Sequence, residues 1–287
     1  MKETAADFID GESLDLICGS EIPSAQNEDS ESKEKDKAKK LVLDILNEKY
    51  GIEEKDFNSA ELEVVPAGAP RDLGFDRSLI LAYGQDDRSC AYTSAQAMVD
   101  SNASSRTNCC ICVDKEEIGS VGASGMESHF FEDCVAELLN ATGNYSGLTL
   151  RRALRNSKVL SSDVSAAFDP NYPSVMEKRN AAYFGRGLVF NKYTGARGKS
   201  GSNDANAEYI ARLRRIFDDN HVSFQTSELG KVDQGGGGTI AYILANYGMN
   251  VIDSGVAVLN MHAPWEIISK VDLYEALHGY VAFLKEA

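Results

Sequence analysis

The spacing of apolar positions changes at about Leu79. Before it, residues 21–40 (EIPSAQNEDSESKEKDKAKK) are charge-dense with almost no apolar content, so they read as an exposed loop running into a helix. That helix is predicted over Lys35 to Tyr50, with Ala38, Leu41, Val42, Ile45 and Leu46 on one stripe and Gly51 as its C-terminal stop. Ala60 to Val65 (AELEVV) alternates as a strand does and is closed by the turn-prone PAGAP. From Leu79 onward, short apolar strands alternate with amphipathic helices. The pattern predicts helices over Cys90 to Asp100, Ser124 to Asn140, Asp204 to Asn220, Thr239 to Tyr247 and Lys270 to Lys285. Strands are predicted over Asn108 to Asp114, Lys158 to Ser162, Gly187 to Asn191 and Asn250 to Ser254. Such alternation argues for an α/β layered core.

Composition narrows the partners. The 287 residues are 43% hydrophobic and 25% charged, as in an ordinary soluble globular protein of one large or two smaller domains. Twenty-nine Lys and Arg against 44 Asp and Glu give a formal charge of -15. An acidic surface is repelled by phosphate backbones and anionic lipid, which argues against nucleic acid and membrane partners. No run approaches the roughly 20 apolar residues of a membrane span, and MKETAADFIDGE lacks the basic-then-apolar order of a signal peptide. A cytoplasmic address is expected. Cys18, Cys90, Cys109, Cys110, Cys112 and Cys134 include no second cluster of the kind a structural zinc site requires, so they read as free, mostly buried thiols in a reducing compartment.

The candidate chemistry sits at strand ends. In VDKEEIGSV an apolar run leads directly into Glu116 and Glu117 and then a glycine turn. Two carboxylates at the carboxyl end of a strand suit a metal site in which one ligates and the other acts as general base. Asp86 and Asp87 in AYGQDDRS, Asp163 in VLSSDVSAAFDPNYP and His262 in AVLNMHAPWE repeat the arrangement. Singly, each has an ordinary reading as a helix cap, a solvated turn or a packed histidine. Together they are the ligand types of a dinuclear zinc hydrolase. TGARGKS fails the phosphate-loop spacing, which would require glycine at Tyr193. GGGGT, Gly235 to Thr239, either offers backbone amides to an oxygen at the start of a helix or is a turn that allows close packing.

The segments ELEVVPAGAPRDLGFDRSLILAYGQDDR, CVDKEEIGSVGASGM, SSDVSAAFDPNYP, KYTGARGKSGSNDANAEYIA, VDQGGGGTIAYILANYGMNVID and VLNMHAPWEI resemble the aspartyl aminopeptidase family of dinuclear zinc exopeptidases. The resemblance implies a zinc-exopeptidase-like mixed sheet sandwiched by helices, plus part of an inserted dimerisation (lid) domain. Residues 1–70 would be the C-terminal part of that insertion and 71–287 the C-terminal part of the catalytic domain. Two zinc ions are implied, with Asp86 bridging them (Asp87 is the second choice), Glu117 and Asp163 as ligands of one zinc each, His262 as a terminal ligand and Glu116 as general base. The glycine loop, represented by Gly236 and Gly237, would border the substrate, and Lys192 or Arg197 would supply a cationic pocket. The implied activity is removal of N-terminal residues, Asp or Glu by family preference, from short peptides inside a tetrahedral dodecamer. The family's other histidine ligand belongs to an N-terminal His-x-Asp motif, and the first histidine here is His129. His129, His221 and His278 are expected to be packing or surface residues. The rival readings are a catalytically incomplete assembly or peptide-binding homologue, and an unrelated small-molecule-binding α/β protein whose carboxylates are solvated turns.

Overall fold

The computed structural model describes residues 11–19, 34–102, 104–197, 200–231 and 233–287; the expected loop over residues 21–33 lies outside them. Internal contacts divide the chain into Met1–Val64 and Val65–Ala287.

In the first unit, α1 (Glu34–Tyr50) ends where Gly51 takes a φ of 70° and its amide bonds to Asn47. Its half-buried side chains include Leu41, Val42 and Leu46, while Ala38 and Ile45 of the expected stripe are exposed. A 3-10 turn, Glu54–Asn58, is closed reciprocally by Glu53 and Asp56. The strand expected over Ala60 to Val65 is not formed. The segment spans the junction of the two units as exposed chain in no ladder, with Leu62 and Val64 in solvent, because alternation makes a strand only where a second edge completes its hydrogen bonds.

The described residues of the second unit form eleven strands: β1 (Arg71–Leu73), β2 (Leu79–Ala82), β3 (Lys158–Ser161), β4 (Ser165–Ala166), β5 (Leu188–Asn191), β6 (Tyr193–Ala196), β7 (Ser200–Asp204), β8 (Phe224–Thr226), β9 (Asn250–Gly255), β10 (Ala257–Leu259) and β11 (Glu266–Ser269). Its helices are α2 (Gln85–Asp100), α3 (Phe130–Ala141), α4 (Gly147–Arg155), α5 (Ala207–Asp219), α6 (Ala241–Ala245) and α7 (Lys270–Glu286). One sheet has the order β1-β2-β11-β10-β4, a second β3-β9-β5-β8, and β6-β7 is a hairpin. Both larger sheets are mixed: β3 runs parallel to β9 while β5 runs antiparallel to it, and β4 runs parallel to β10 while β11 runs antiparallel.

Neighbouring residues of a strand face opposite sides of its sheet. Along β9, Val251 packs with Leu150, Leu154, Ala241 and Leu244 from α4 and α6, whereas Ile252 packs with Leu213, Phe217, Ala276 and Tyr280 from α5 and α7. Helices therefore cover both faces of the second sheet, as the expected sandwich requires. The larger cluster centres on Phe190, Phe217 and Phe224, whose ring centroids lie 5.1 to 5.8 Å apart.

Two strand pairs pass from one sheet to the other side by side. The chain leaves β9 at Gly255 and enters β10 at Ala257, while β3 gives way to β4 across Ser162, Asp163 and Val164. A Cβ placed on Gly255 would stand 1.9 Å from the carbonyl oxygen of Asp163, so glycine there lets the two crossings touch.

The expected strand over Asn108 to Asp114 is absent. The run lies across a cleft of about 330 Å³ from β3 and has no strand beside it, so apolar content alone does not make it a ladder. Its thiols correct a further expectation. Cys109 and Cys112 are exposed, as are Cys18 and Cys134, Cys110 is half-buried, and only Cys90 is buried among the described residues. The helix expected from Ser124 begins at Phe130, after turns that bring the Glu127 amide to the Ser120 carbonyl oxygen. The helix expected over Thr239 to Tyr247 shortens to α6.

Candidate metal centre

Four chain segments deliver the acidic cluster. Apolar β2 runs into Gly84, in the left-handed conformation, and then into Asp86 and Asp87, which hold non-helical backbone angles before α2 becomes regular. The carboxyl end of the run over residues 108–114 turns at Lys115, also left-handed, into the 3-10 turn Glu116–Ile118. Asp163 lies on the crossing between β3 and β4, and His262 in the tight turn between β10 and β11. Within that turn Asn260 and His262 have φ of 63° and 65°, and the Asn260 side-chain amide donates to the Trp265 carbonyl at 2.7 Å. Left-handed backbone in non-glycine residues costs free energy that the surrounding contacts must offset, and such positions cluster at functional sites.

The side chains converge. His262 Nε2 lies 3.0 Å from Asp86 Oδ2 and 3.0 Å from Glu117 Oε1. Asp86, Glu117 and His262 each present a ligand atom within 4.8 Å of the others, and so do Asp86, Asp87 and Asp163. Asp86 belongs to both groups. Asp86, Asp87, Glu116, Glu117 and Asp163 also line one cleft together with Cys109 to Lys115, Val159 to Ser162 and Ile240.

The electrostatics of this cleft disfavour ionised acids. Burial, and next the charge of Glu117, push the Asp86 carboxyl up to about 7, against the opposing pull of His262. Burial pushes Asp87 up to about 8, opposed by its hydrogen bond with Cys90. Asp163 is raised well above the usual carboxylate range by burial and then by Asp87, and Glu116 is raised by burial and then by Glu117. Asp87 Oδ1 is buried without a hydrogen-bond partner. Lys115 is the single basic side chain lining the cleft among the described residues, and its ammonium pairs with Asp114 at 3.1 Å. Crowded carboxylates of this kind, joined by one imidazole and with the single ammonium paired to Asp114, suit a divalent cation, and the nitrogen and oxygen donors match what zinc takes.

The other candidates lie elsewhere. Gly236 lines a separate small pocket with Tyr193, Gly195 and Glu228, and Lys192 is ion-paired to Asp204; neither they nor Gly237 line the acidic cleft. The glycine run continues as an extended segment beside β6, with the Gly195 amide donating to Gly237 and the Arg197 amide to Gly235. Gly236 has a φ of 96°, and a Cβ there would meet the Gly195 oxygen at 2.6 Å, so glycine at this position permits the close approach of the two backbones. Thr239 then anchors the run by donating to buried Asp253 on β9. His129 pairs with Glu132 at 3.1 Å, and His278 packs against Tyr274. Sequence reasoning missed Asp253 and Glu266, because a buried carboxylate inside an apolar strand carries no local signal of what it holds.

Residues 10–284 match the family model described as aminopeptidase I zinc metalloprotease (M18). A protein of Clostridium acetobutylicum named probable M18 family aminopeptidase 1 is 63% identical over 284 residues, 99% of this chain and 60% of its own length. The crystal structure of aminopeptidase I from that organism superposes with a TM-score of 0.84 over 94% of this chain and 57% of that one. An M18 family aminopeptidase structure from Thermotoga maritima, 46% identical, gives 0.85 over 91% of this chain and 58% of that one. A yeast structure described as the mApe1 dodecamer shares the fold at 21% identity and a TM-score of 0.61, over 76% of this chain and 48% of that one. The chain thus spans about 60% of the length of the curated relative it matches.

Proposed function

Because the chain belongs to the aminopeptidase I zinc metalloprotease (M18) family, we propose that its acidic cleft is the zinc-binding part of a metallo-aminopeptidase acting on short peptides. The observation that carries this reading is the convergence of His262 Nε2 on Asp86 and Glu117 at 3.0 Å each, two acids of a cleft that Asp87, Asp114, Glu116 and Asp163 also line. Asp86 shares one metal-capable group with Glu117 and His262 and another with Asp163, which supports it as the bridge between two zinc positions.

Zinc in such a ligand set polarises a carbonyl oxygen and makes water a nucleophile at neutral pH. The chain's own part in the reaction falls to Glu116, which lines the same cleft without belonging to either metal-capable group. It would take a proton from the attacking water and pass it to the departing amine, and the upward shift imposed by burial suits a group that must hold and then release that proton. The dinuclear count, the preference for N-terminal Asp or Glu, a role for Lys192, Gly236 and Gly237 near the substrate, cytoplasmic location and assembly as a homo-oligomer like the yeast dodecamer belong to the same proposal. So does the assignment of residues 1–70 to an inserted lid domain, which the division between Val64 and Val65 supports.

One observation favours a second reading, a homologue that binds without turnover: the group Asp86, Asp87 and Asp163 contains no imidazole among the described residues. Zinc stoichiometry measured alongside hydrolysis of aspartyl and leucyl chromogenic amides separates them. Bound zinc with turnover is expected for the enzyme. Zinc without turnover selects the second reading, and no zinc binding ends the first.

A further inference from the structure

We infer that Glu266 is a positioning residue whose carboxylate holds the backbone beneath Asp86 and His262 and so sets the distance between these two candidate ligands. Resting on the zinc reading above, it extends that reading to a residue outside the ligand set. Glu266 is 2% exposed and opens β11, directly opposite Ala82 at the end of β2. Its Oε2 accepts the Asp86 amide at 3.0 Å and its Oε1 accepts the His262 amide at 2.7 Å. No ion pair among the described residues includes it, so two main-chain N–H groups are the partners of a buried carboxylate, which is costly unless it is fully hydrogen-bonded.

The two amides belong to segments distant in sequence. One leads from β2 into α2 and the other lies in the β10–β11 turn. His262 sits there at a φ of 65°, a conformation that must be held by its surroundings. A single planar group with an oxygen on each amide fixes both segments together. Glutamine retains the shape but presents an N–H₂ where one amide already donates, so one of the two bonds is lost. Aspartate is one methylene shorter and cannot reach both amides from the same Cα.

Asp272 provides the comparison. It is buried on α7, where it likewise accepts two main-chain amides, from Gly185 at 2.9 Å and Gly187 at 2.7 Å, and it does not line the acidic cleft. The experiment is titration of the purified chain with Zn²⁺ against a chromophoric chelator, and with Co²⁺ followed by its visible d–d bands. Measurements are made on the wild type, Glu266→Gln, Glu266→Asp and Asp272→Asn, with circular dichroism as the check of folding. Glu266→Gln should weaken Zn²⁺ binding by about 10- to 100-fold, as loss of an outer-shell partner does, and should shift the Co²⁺ bands. Asp272→Asn should lower the unfolding midpoint and leave affinity and spectrum unchanged. If Glu266→Gln does not fold, Glu266→Asp decides by the same two readouts. Failure of the wild type to bind either metal would refute the zinc reading itself. Wild-type binding with affinity and spectrum unmoved in the folded Glu266 variant, or moved equally by Asp272→Asn, would overturn the positioning role alone.

Discussion

Nε2 of His262 stands 3.0 Å from Oε1 of Glu117, although both side chains are more than half exposed. The pair links the β10–β11 turn to the 3-10 turn after residues 108–114, and neither partner is constrained by burial. Two flexible groups held this close at the surface gain little from each other alone, since exposed pairs contribute about 0 to 1 kcal/mol. A shared cation would give the contact a larger purpose. His262→Ala should therefore weaken Zn²⁺ binding by more than the roughly 10- to 100-fold expected of an outer-shell loss, with little change in folding stability. Chelator competition and urea denaturation of the same samples check it, and unchanged zinc affinity would remove His262 from the ligand set.

Glu116 and Glu117 are adjacent, yet only Glu117 belongs to a metal-capable group. Glu116→Gln should keep the zinc content and lower kcat on a chromogenic amide by about 10²- to 10⁴-fold, the range for loss of a general acid-base group. Turnover that survives the change would assign the proton transfer to another residue.

Asp253 offers a pH dependence from a group outside the candidate ligand set. It is 2% exposed at the centre of β9 opposite Ser161 and Asn191, accepts the Thr239 hydroxyl, and is pushed up to about 6 chiefly by burial. The folded chain then binds this proton more tightly than the unfolded chain, whose carboxyl titrates near 3.8. Stability contributed by this group is thus full below the unfolded value and falls as pH rises through the folded one. The difference in unfolding free energy between wild type and Asp253→Asn should move by about 2 kcal/mol against the wild type as pH rises from 4 to 7. A difference that stays flat across that window would show that Asp253 is not held protonated.

Legibility in the sequence followed locality. The candidate cluster was readable because its residue types sit at the ends of apolar runs, and Asp86, Glu117 and His262 converge beyond β2, the 108–114 run and β10. Pairing was not readable, since a ladder depends on an edge that the run itself does not contain. Residues 60–65 and 108–114 carry the alternation or apolarity of strands and form none, whereas two-residue β4 is a strand because β10 lies alongside it. Helix beginnings failed for a related reason. Ser124 to His129 precedes an amphipathic run and reads as its first turns, but Gly125 and two serines fold it into turns that serve the Glu116–Ser120 corner. Glu266 and Gly255 were silent because their roles exist only once distant segments have been brought together.

Gly255 gives that last point a test. Its φ lies outside the left-handed region, so the backbone itself would accept alanine. The obstacle is the carbonyl of Asp163, 1.9 Å from the added Cβ, with Cys90 Sγ at 2.9 Å on the same site. Neither neighbour is a flexible chain end, because Asp163 is fixed by the β3–β4 crossing and Cys90 is buried on α2. Gly255→Ala should then destabilise the chain by about 1 to 3 kcal/mol through overpacking, and it should also weaken zinc binding by displacing Asp163. Gly147→Ala makes the control: Gly147 opens α4 with no atom within 4 Å of the added carbon. There the substitution should be neutral or stabilising by up to about 1 kcal/mol, since it restricts the unfolded chain at no steric cost. Urea denaturation and zinc titration of the two variants together decide the matter. Equal stability of the two would mean that the crossings are not in contact, and destabilisation with unchanged zinc affinity would detach Asp163 from the metal centre.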